Sequence, residues 1–133
     1  MALSRLVLPA QCRQAIVNHA RFVAPDEGCG LLAGARPGVV DFVYPLTNAD
    51  SSPTSYTVDP YEHFHAWKHA ESRGWELIGA FHSHPTGPSH PSPTDVRLAS
   101  EPDWTYVIVA WDQVHGYRID AGVYREVALI EGR

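Results

Sequence analysis

Apolar positions along this chain alternate between helical spacing of three to four residues and the short, dense runs of buried strands, and the changes mark out its elements. Residues 6–8 predict a strand, and Cys12, Ala15, Ile16, His19, Phe22 and Val23 predict a helix whose first turn suits Pro9 and which Pro25 ends. Residues 29–33, closed by Gly34, read as a buried strand. Residues 39–44 read as its partner across a turn through Arg36, Pro37 and Gly38.

The polar stretch 48–55, with Pro53, predicts a loop and a candidate rim of a binding cleft. Asp59, Pro60 and Glu62 make a helix start, the aspartate capping, the proline at the first helical position and the glutamate closing the box, with Gly74 at the far end. Residues 76–81 predict a strand running into His82. A proline-rich segment then leads to a short helix over 93–100. Residues 104–111, 116–119 and 123–130 read as strands, antiparallel neighbours because their links are short. The expected architecture is one mixed α+β domain over residues 1–133, with a central mixed, largely antiparallel sheet flanked by about three helices.

With 133 residues, 44 % of them hydrophobic, such a domain can bury a core without disulfides. A net charge of −5 and the lack of a Lys/Arg stripe argue against nucleic acid. No apolar run reaches the roughly 18–20 residues of a membrane span, and Pro9 cuts the first one short of a signal-peptide core. A soluble, cytoplasmic protein is expected. Cys12 and Cys29 form no CxxC pair and fit as buried thiols of a reducing compartment.

The chemistry concentrates in residues 82–95, His-Ser-His-Pro-Thr-Gly-Pro-Ser-His-Pro-Ser-Pro-Thr-Asp. On a strand, His82 and His84 share a face and can converge on one ion, a task that requires a spacing of four on a helix. Asp95 would complete an N,N,O set with a fourth position open for a water, whose pKa a metal lowers from about 15.7 to about 7. Bland readings stand beside this one. Ser92, Pro93 and Asp95 also make a capping box, and a His-x-His pair by itself is often incidental. Glu27, between Asp26 and Gly28, fits a solvated loop.

Taken together, these residues resemble the JAMM (MPN+) metalloproteases, whose pattern is a distant Glu, then His-x-His-Pro, six or seven residues, and Ser-x-x-Asp. His82, His84 and Pro85, then, after six intervening residues, Ser92 and Asp95 match it, and Glu27 with the Gly28–Gly34 stretch looks like the upstream part. The resemblance implies one zinc ion per chain on His82, His84 and Asp95. Glu27 would be the general acid/base that takes a proton from the metal-activated water and gives it to the leaving amine. Ser92 would stabilise the oxyanion. It also implies a layered fold similar to that of the cytidine deaminases.

The substrate implied is an amide or isopeptide bond at the C-terminal tail of a ubiquitin-like or sulfur-carrier protein, with a Gly-Gly-type end. The short chain favours the compact prokaryotic type. Such a tail would bind extended along a sheet edge, with the 48–56 rim as a candidate contact. A catalytically silent interaction module and a small-molecule zinc amidohydrolase are the alternatives.

The other histidines carry weaker signals. His63, His65 and His69 read as a solvated helix face, His90 as an exposed loop residue near the metal, and His19 and His115 have no constellation. Trp75, Phe81, Trp104 and Trp111 read as core or core-edge residues.

Overall fold

The computed structural model describes residues 5–132; residues 1–4, part of the segment read as lacking a secretion signal, and residue 133 lie outside them. The elements are β1 (Arg5–Val7), α1 (Ala10–Val23), β2 (Cys29–Gly34), β3 (Phe42–Leu46), α2 (Pro60–Ser72), β4 (Glu76–Ser83), α3 (Pro93–Leu98), β5 (Thr105–Ala110), β6 (Gln113–Asp120) and β7 (Val123–Ile130). The strands form one sheet in the order β1-β7-β6-β5-β4-β2-β3. β1 pairs with β7 and β4 with β5 in parallel. The remaining neighbours are antiparallel, so the sheet is mixed and largely antiparallel, as expected.

Helices cover both faces. On one, Cys12, Ile16 and Val17 of α1 pack with Leu32, Phe81, Val107 and Val109. On the other, Ala66 and Ala70 of α2 and Val96 of α3 close over Leu31, Ala80, Tyr106 and Ile108. Strands β2 and β5, enclosed from both sides, are buried at every position, which is why they read as unbroken apolar runs rather than alternations. Gly30 is required there: a Cβ would run into the Tyr44 carbonyl and the Phe81 ring. Both cysteines are free and buried. Among the described residues no helix is long and apolar enough to cross a membrane.

Several expectations need correction. The partner of β2 begins at Phe42, not residue 39, because Val39 and Val40 turn to β1: Val7 N–H donates to Gly38 and Val40 N–H to Val7. Asp59 caps α2 through the Tyr61 and Glu62 amides, but Glu62 closes no box. Its carboxylate instead accepts from the backbone and hydroxyl of Thr47, 2.7 and 2.8 Å away, and clamps the end of β3. Phe22, placed on the apolar face of α1, is 86 % exposed. Trp111 is no core residue either. It is 80 % exposed at a φ of 60° in the two-residue turn between β5 and β6, where neither sheet face is available to it. The short helix ends at Leu98, and β6 runs longer than residues 116–119.

Candidate metal centre

The site forms where β4 runs out of the sheet. Cys29 stands opposite His82 in the antiparallel β2–β4 register, and the pairing continues past both strand ends. Ser83 N–H donates to the Gly28 carbonyl at 3.0 Å, and Gly28 N–H to Ser83 Oγ at 2.7 Å. This pairing sets Glu27 across from His84, and the two-residue alternation puts Glu27, His82 and His84 on one face. His84 N–H donates to Val109 on the other side, so the second histidine is also held by a neighbouring strand.

The third group comes from α3. Ser92 Oγ accepts from Asp95 N–H at 3.0 Å, and Ser92 N–H donates to Asp95 Oδ2 at 2.9 Å. The capping box is therefore real, and it aims the carboxylate. Asp95 Oδ2 lies 3.1 Å from His82 Nε2 and 3.0 Å from His84 Nε2, and the two nitrogens are 3.1 Å apart. The capping-box reading of Ser92 and Asp95 holds, and the same hydrogen bonds turn the Asp95 carboxylate toward His82 and His84.

These three atoms fit a divalent ion. Ligand atoms about 2.0–2.1 Å from a tetrahedral ion lie roughly 3.3 Å from one another, close to the triangle observed. His84 Nδ1 donates to the Pro88 carbonyl at 2.7 Å, which leaves the Nε2 lone pair facing the other two ligands. Proline-rich loop 85–91 is itself tied down. His115 Nδ1 bonds Ser89 Oγ at 2.6 Å, and the Tyr117 hydroxyl donates to the Ser89 carbonyl.

Electrostatics favour a shared positive charge. Burial alone would raise the Asp95 carboxyl, but the hydrogen bonds from His82 and His84, helped by the Ser92 amide, take it well below the usual carboxylate range. Burial lowers His82. It acts the same way on His84, where the bonds to Asp95 and Pro88 outweigh it and leave the imidazole raised. Such a set holds a proton or a metal cation between two rings and one carboxylate.

Glu27 is 5 % exposed, and among the described residues its Oε1 has no hydrogen-bond partner. Burial pushes its carboxyl up to about 7, with His84 pulling it back and Asp95 and Asp50 adding to the rise. A solvated loop residue would show none of this. Its backbone is fixed on both sides by segment 48–58: Glu27 N–H donates to the Ser52 carbonyl at 2.8 Å, and Asn48 Nδ2 to the Glu27 carbonyl at 3.1 Å.

Beside His82 and Asp95 lies a cavity of about 300 Å³, walled by Tyr56, Val58, Leu98, Trp104 and Tyr106. His63, expected on a solvated helix face, lines it too. His69 is exposed but bonds the Tyr44 hydroxyl at 2.7 Å, and His19 bonds the Leu46 carbonyl at 3.0 Å. His90 Nδ1 bonds the Pro91 carbonyl beside it, at 3.3 Å.

The profile described as prokaryotic homologues of the JAB domain matches residues 9–120. The chain is 40 % identical over 130 residues to the CysO-cysteine peptidase of Mycobacterium tuberculosis, covering 91 % of this chain and 87 % of that one. It is 43 % identical over 110 residues to a probable TtuB-protein conjugate cleaving protease of Thermus thermophilus, covering 80 % and 70 %. A solution structure from Desulfitobacterium hafniense superimposes with a TM-score of 0.86 at 36 % identity, over 94 % of this chain and 91 % of that one. A JAB1/MPN domain protein from Archaeoglobus fulgidus shares the fold, at a TM-score of 0.64, 21 % identity and coverage of 96 % and 99 %.

Proposed function

This chain belongs to the prokaryotic JAB-domain family, and on that premise we propose that it is a JAMM-type zinc metallopeptidase acting on conjugates of a ubiquitin-like or sulfur-carrier protein. The bond it hydrolyses is an amide at the carrier's C-terminal tail, of the Gly-Gly type. One observation carries the reading: His82 Nε2, His84 Nε2 and Asp95 Oδ2 meet within about 3 Å, on the sheet face that also carries Glu27, whose buried Oε1 has no hydrogen-bond partner among the described residues.

His82, His84 and Asp95 hold one zinc ion per chain. When bound there, zinc supplies Lewis-acid activation of a water near neutral pH. Glu27, its carboxyl raised by burial and its Oε1 without a partner among the described residues, takes the proton of the attacking water and delivers it to the leaving amine. The bonds from Gly28 to Ser83 and from Glu27 to Ser52 keep that carboxylate on a rigid frame. Ser92 Oγ accepts from Asp95 N–H and keeps its own proton, which it donates to the carbonyl oxygen as charge develops. The enzyme works in the cytoplasm, where the two buried thiols stay reduced.

Ser92→Ala removes two things at once and gives a composite result. Losing the cap lowers unfolding stability by about 0.5–2 kcal/mol. Losing the oxyanion donor lowers kcat by about 10²–10³-fold. Ser92→Thr keeps both within a few-fold. Steady-state kinetics and denaturant melts on the two variants check this, and an active Ser92→Ala enzyme removes Ser92 from the reaction.

To test the function itself, the protein is incubated with carrier-protein conjugates and with short unconjugated amides, and products are read by mass spectrometry. Cleavage of a conjugate directly after the carrier's last residue is expected. Turnover of short amides with every conjugate left intact refutes the carrier substrate and points to a small-molecule amidohydrolase.

A further inference from the structure

The two histidines of the centre are held in different ways. His84 has the usual support for a metal-binding imidazole, a hydrogen bond from Nδ1 to a backbone carbonyl, here that of Pro88. Among the described residues, the side-chain hydrogen bonds of His82 are made by Nε2 alone. What meets His82 instead is an aromatic face. The Tyr56 ring lies over the imidazole with centroids 4.4 Å apart and an interplanar angle of 22°. The His84 ring meets His82 edge-on instead, at an interplanar angle of 63°.

Tyr56 is in turn held by a segment organised around one side chain. Asn48 Nδ2 donates to the Ser55 carbonyl at 2.9 Å and to that of Glu27 at 3.1 Å. Asn48 Oδ1 accepts from Asp50 N–H at 3.0 Å and from Thr57 N–H at 3.1 Å. Tyr56 therefore sits between two residues, Ser55 and Thr57, that are both bonded to the same asparagine. That asparagine also grips the residue carrying the proposed proton carrier.

We propose that Tyr56 is a positioning residue for the metal centre: its ring face fixes the plane of His82 in place of the hydrogen bond that fixes His84, and Asn48 holds it there. The inference rests on the metal-centre reading of His82, His84 and Asp95. A stacked ring restricts rotation about the imidazole's χ2, a torsion with broad and shallow preferences, while leaving Nε2 unobstructed. The ring face does this work and the hydroxyl does not.

The test is a zinc-affinity measurement, independent of any substrate, in which wild-type protein and variants compete with a chromogenic chelator for the metal. Tyr56→Phe keeps the face and should bind zinc within about threefold of wild type. Tyr56→Leu keeps bulk but not the flat face and should weaken binding by about 10–100-fold, the usual range for an outer support of a metal ligand. Thermal melts of the metal-free proteins accompany the titration, and a normal melt for Tyr56→Leu is expected. Asn48→Ala, which leaves the ring but frees the loop, should weaken zinc binding in the same direction.

Tyr56→Leu binding as tightly as wild type overturns the proposal, as does Tyr56→Phe binding as weakly as Tyr56→Leu. If Tyr56→Leu fails to fold, the comparison of Asn48→Ala with Tyr56→Phe decides, and wild-type affinity in Asn48→Ala overturns it. A wild-type protein that takes up no zinc overturns the metal centre itself, an outcome distinct from a tight-binding Tyr56→Leu.

Discussion

Glu27→Gln should lower kcat by about 10²–10⁴-fold, the usual contribution of a positioned acid/base, while leaving one zinc per chain in place. The substitution is nearly isosteric at a site that is 5 % exposed, so neither packing nor the hydrogen bonds of the Glu27 backbone to Ser52 and Asn48 should change. Glu27 is not among the three groups that converge to hold an ion. What the amide loses is the ability to take up a proton, at a position where burial lifts the carboxyl to about 7. The check is metal analysis on the same sample used for single-turnover kinetics. Loss of zinc together with activity would make Glu27 a structural support of the centre. Retention of both would remove it from the mechanism.

Asp95→Asn should abolish both zinc retention and turnover with little damage to the fold. The carboxylate has two duties, accepting from Ser92 N–H and meeting the two imidazoles, and only the second needs its full charge. An asparagine oxygen can still accept from Ser92. The expected cost to the metal-free protein is then about 1–3 kcal/mol, because the neutral amide gives up charge-assisted bonds to the two imidazoles, and several degrees in Tm. Zinc content after dialysis should fall from about one per chain to near none, because a neutral amide is a poor third ligand for a divalent ion. The rise in Tm that zinc gives the wild-type protein by mass action should disappear with it. Zinc retention by Asp95→Asn at the wild-type level would show that the carboxylate only caps α3.

Much of this centre could be read along the chain because its signals are local. A spacing of two puts His82 and His84 on one strand face, and a spacing of three lets Ser92 and Asp95 box a helix start. His84 lies one residue past the end of β4, yet its Nε2 is 3.1 Å from that of His82, and Ser92 and Asp95 form the box. The supports of the centre could not be read, because each joins residues far apart in sequence. Ser83 binds the Gly28 amide 55 positions away, Asn48 reaches the Glu27 carbonyl 21 positions away, and Tyr56 covers His82 from a loop read only as a polar rim. No periodicity encodes such contacts.

The errors in the fold have the same character. Local chemistry suggested that Glu62 closes a capping box, yet Thr47, 15 positions earlier, takes its carboxylate. Val39 and Val40 look like strand residues, and their β-type bonds go to β1 and the turn rather than to β2. Trp111 is apolar at the end of an apolar strand, and only the tight turn reveals that it faces outward. In each case a partner brought close by tertiary structure outweighed the preference of the segment.

The most direct measurement is stoichiometric. Protein stripped of metal by dialysis against chelator is titrated with zinc while cleavage of a carrier-protein conjugate is followed at each step. Activity should be absent at zero zinc, rise linearly and level off at about one equivalent per chain, with His82→Ala inactive throughout. Conjugate cleavage by the stripped protein at the rate of the loaded one would contradict the account.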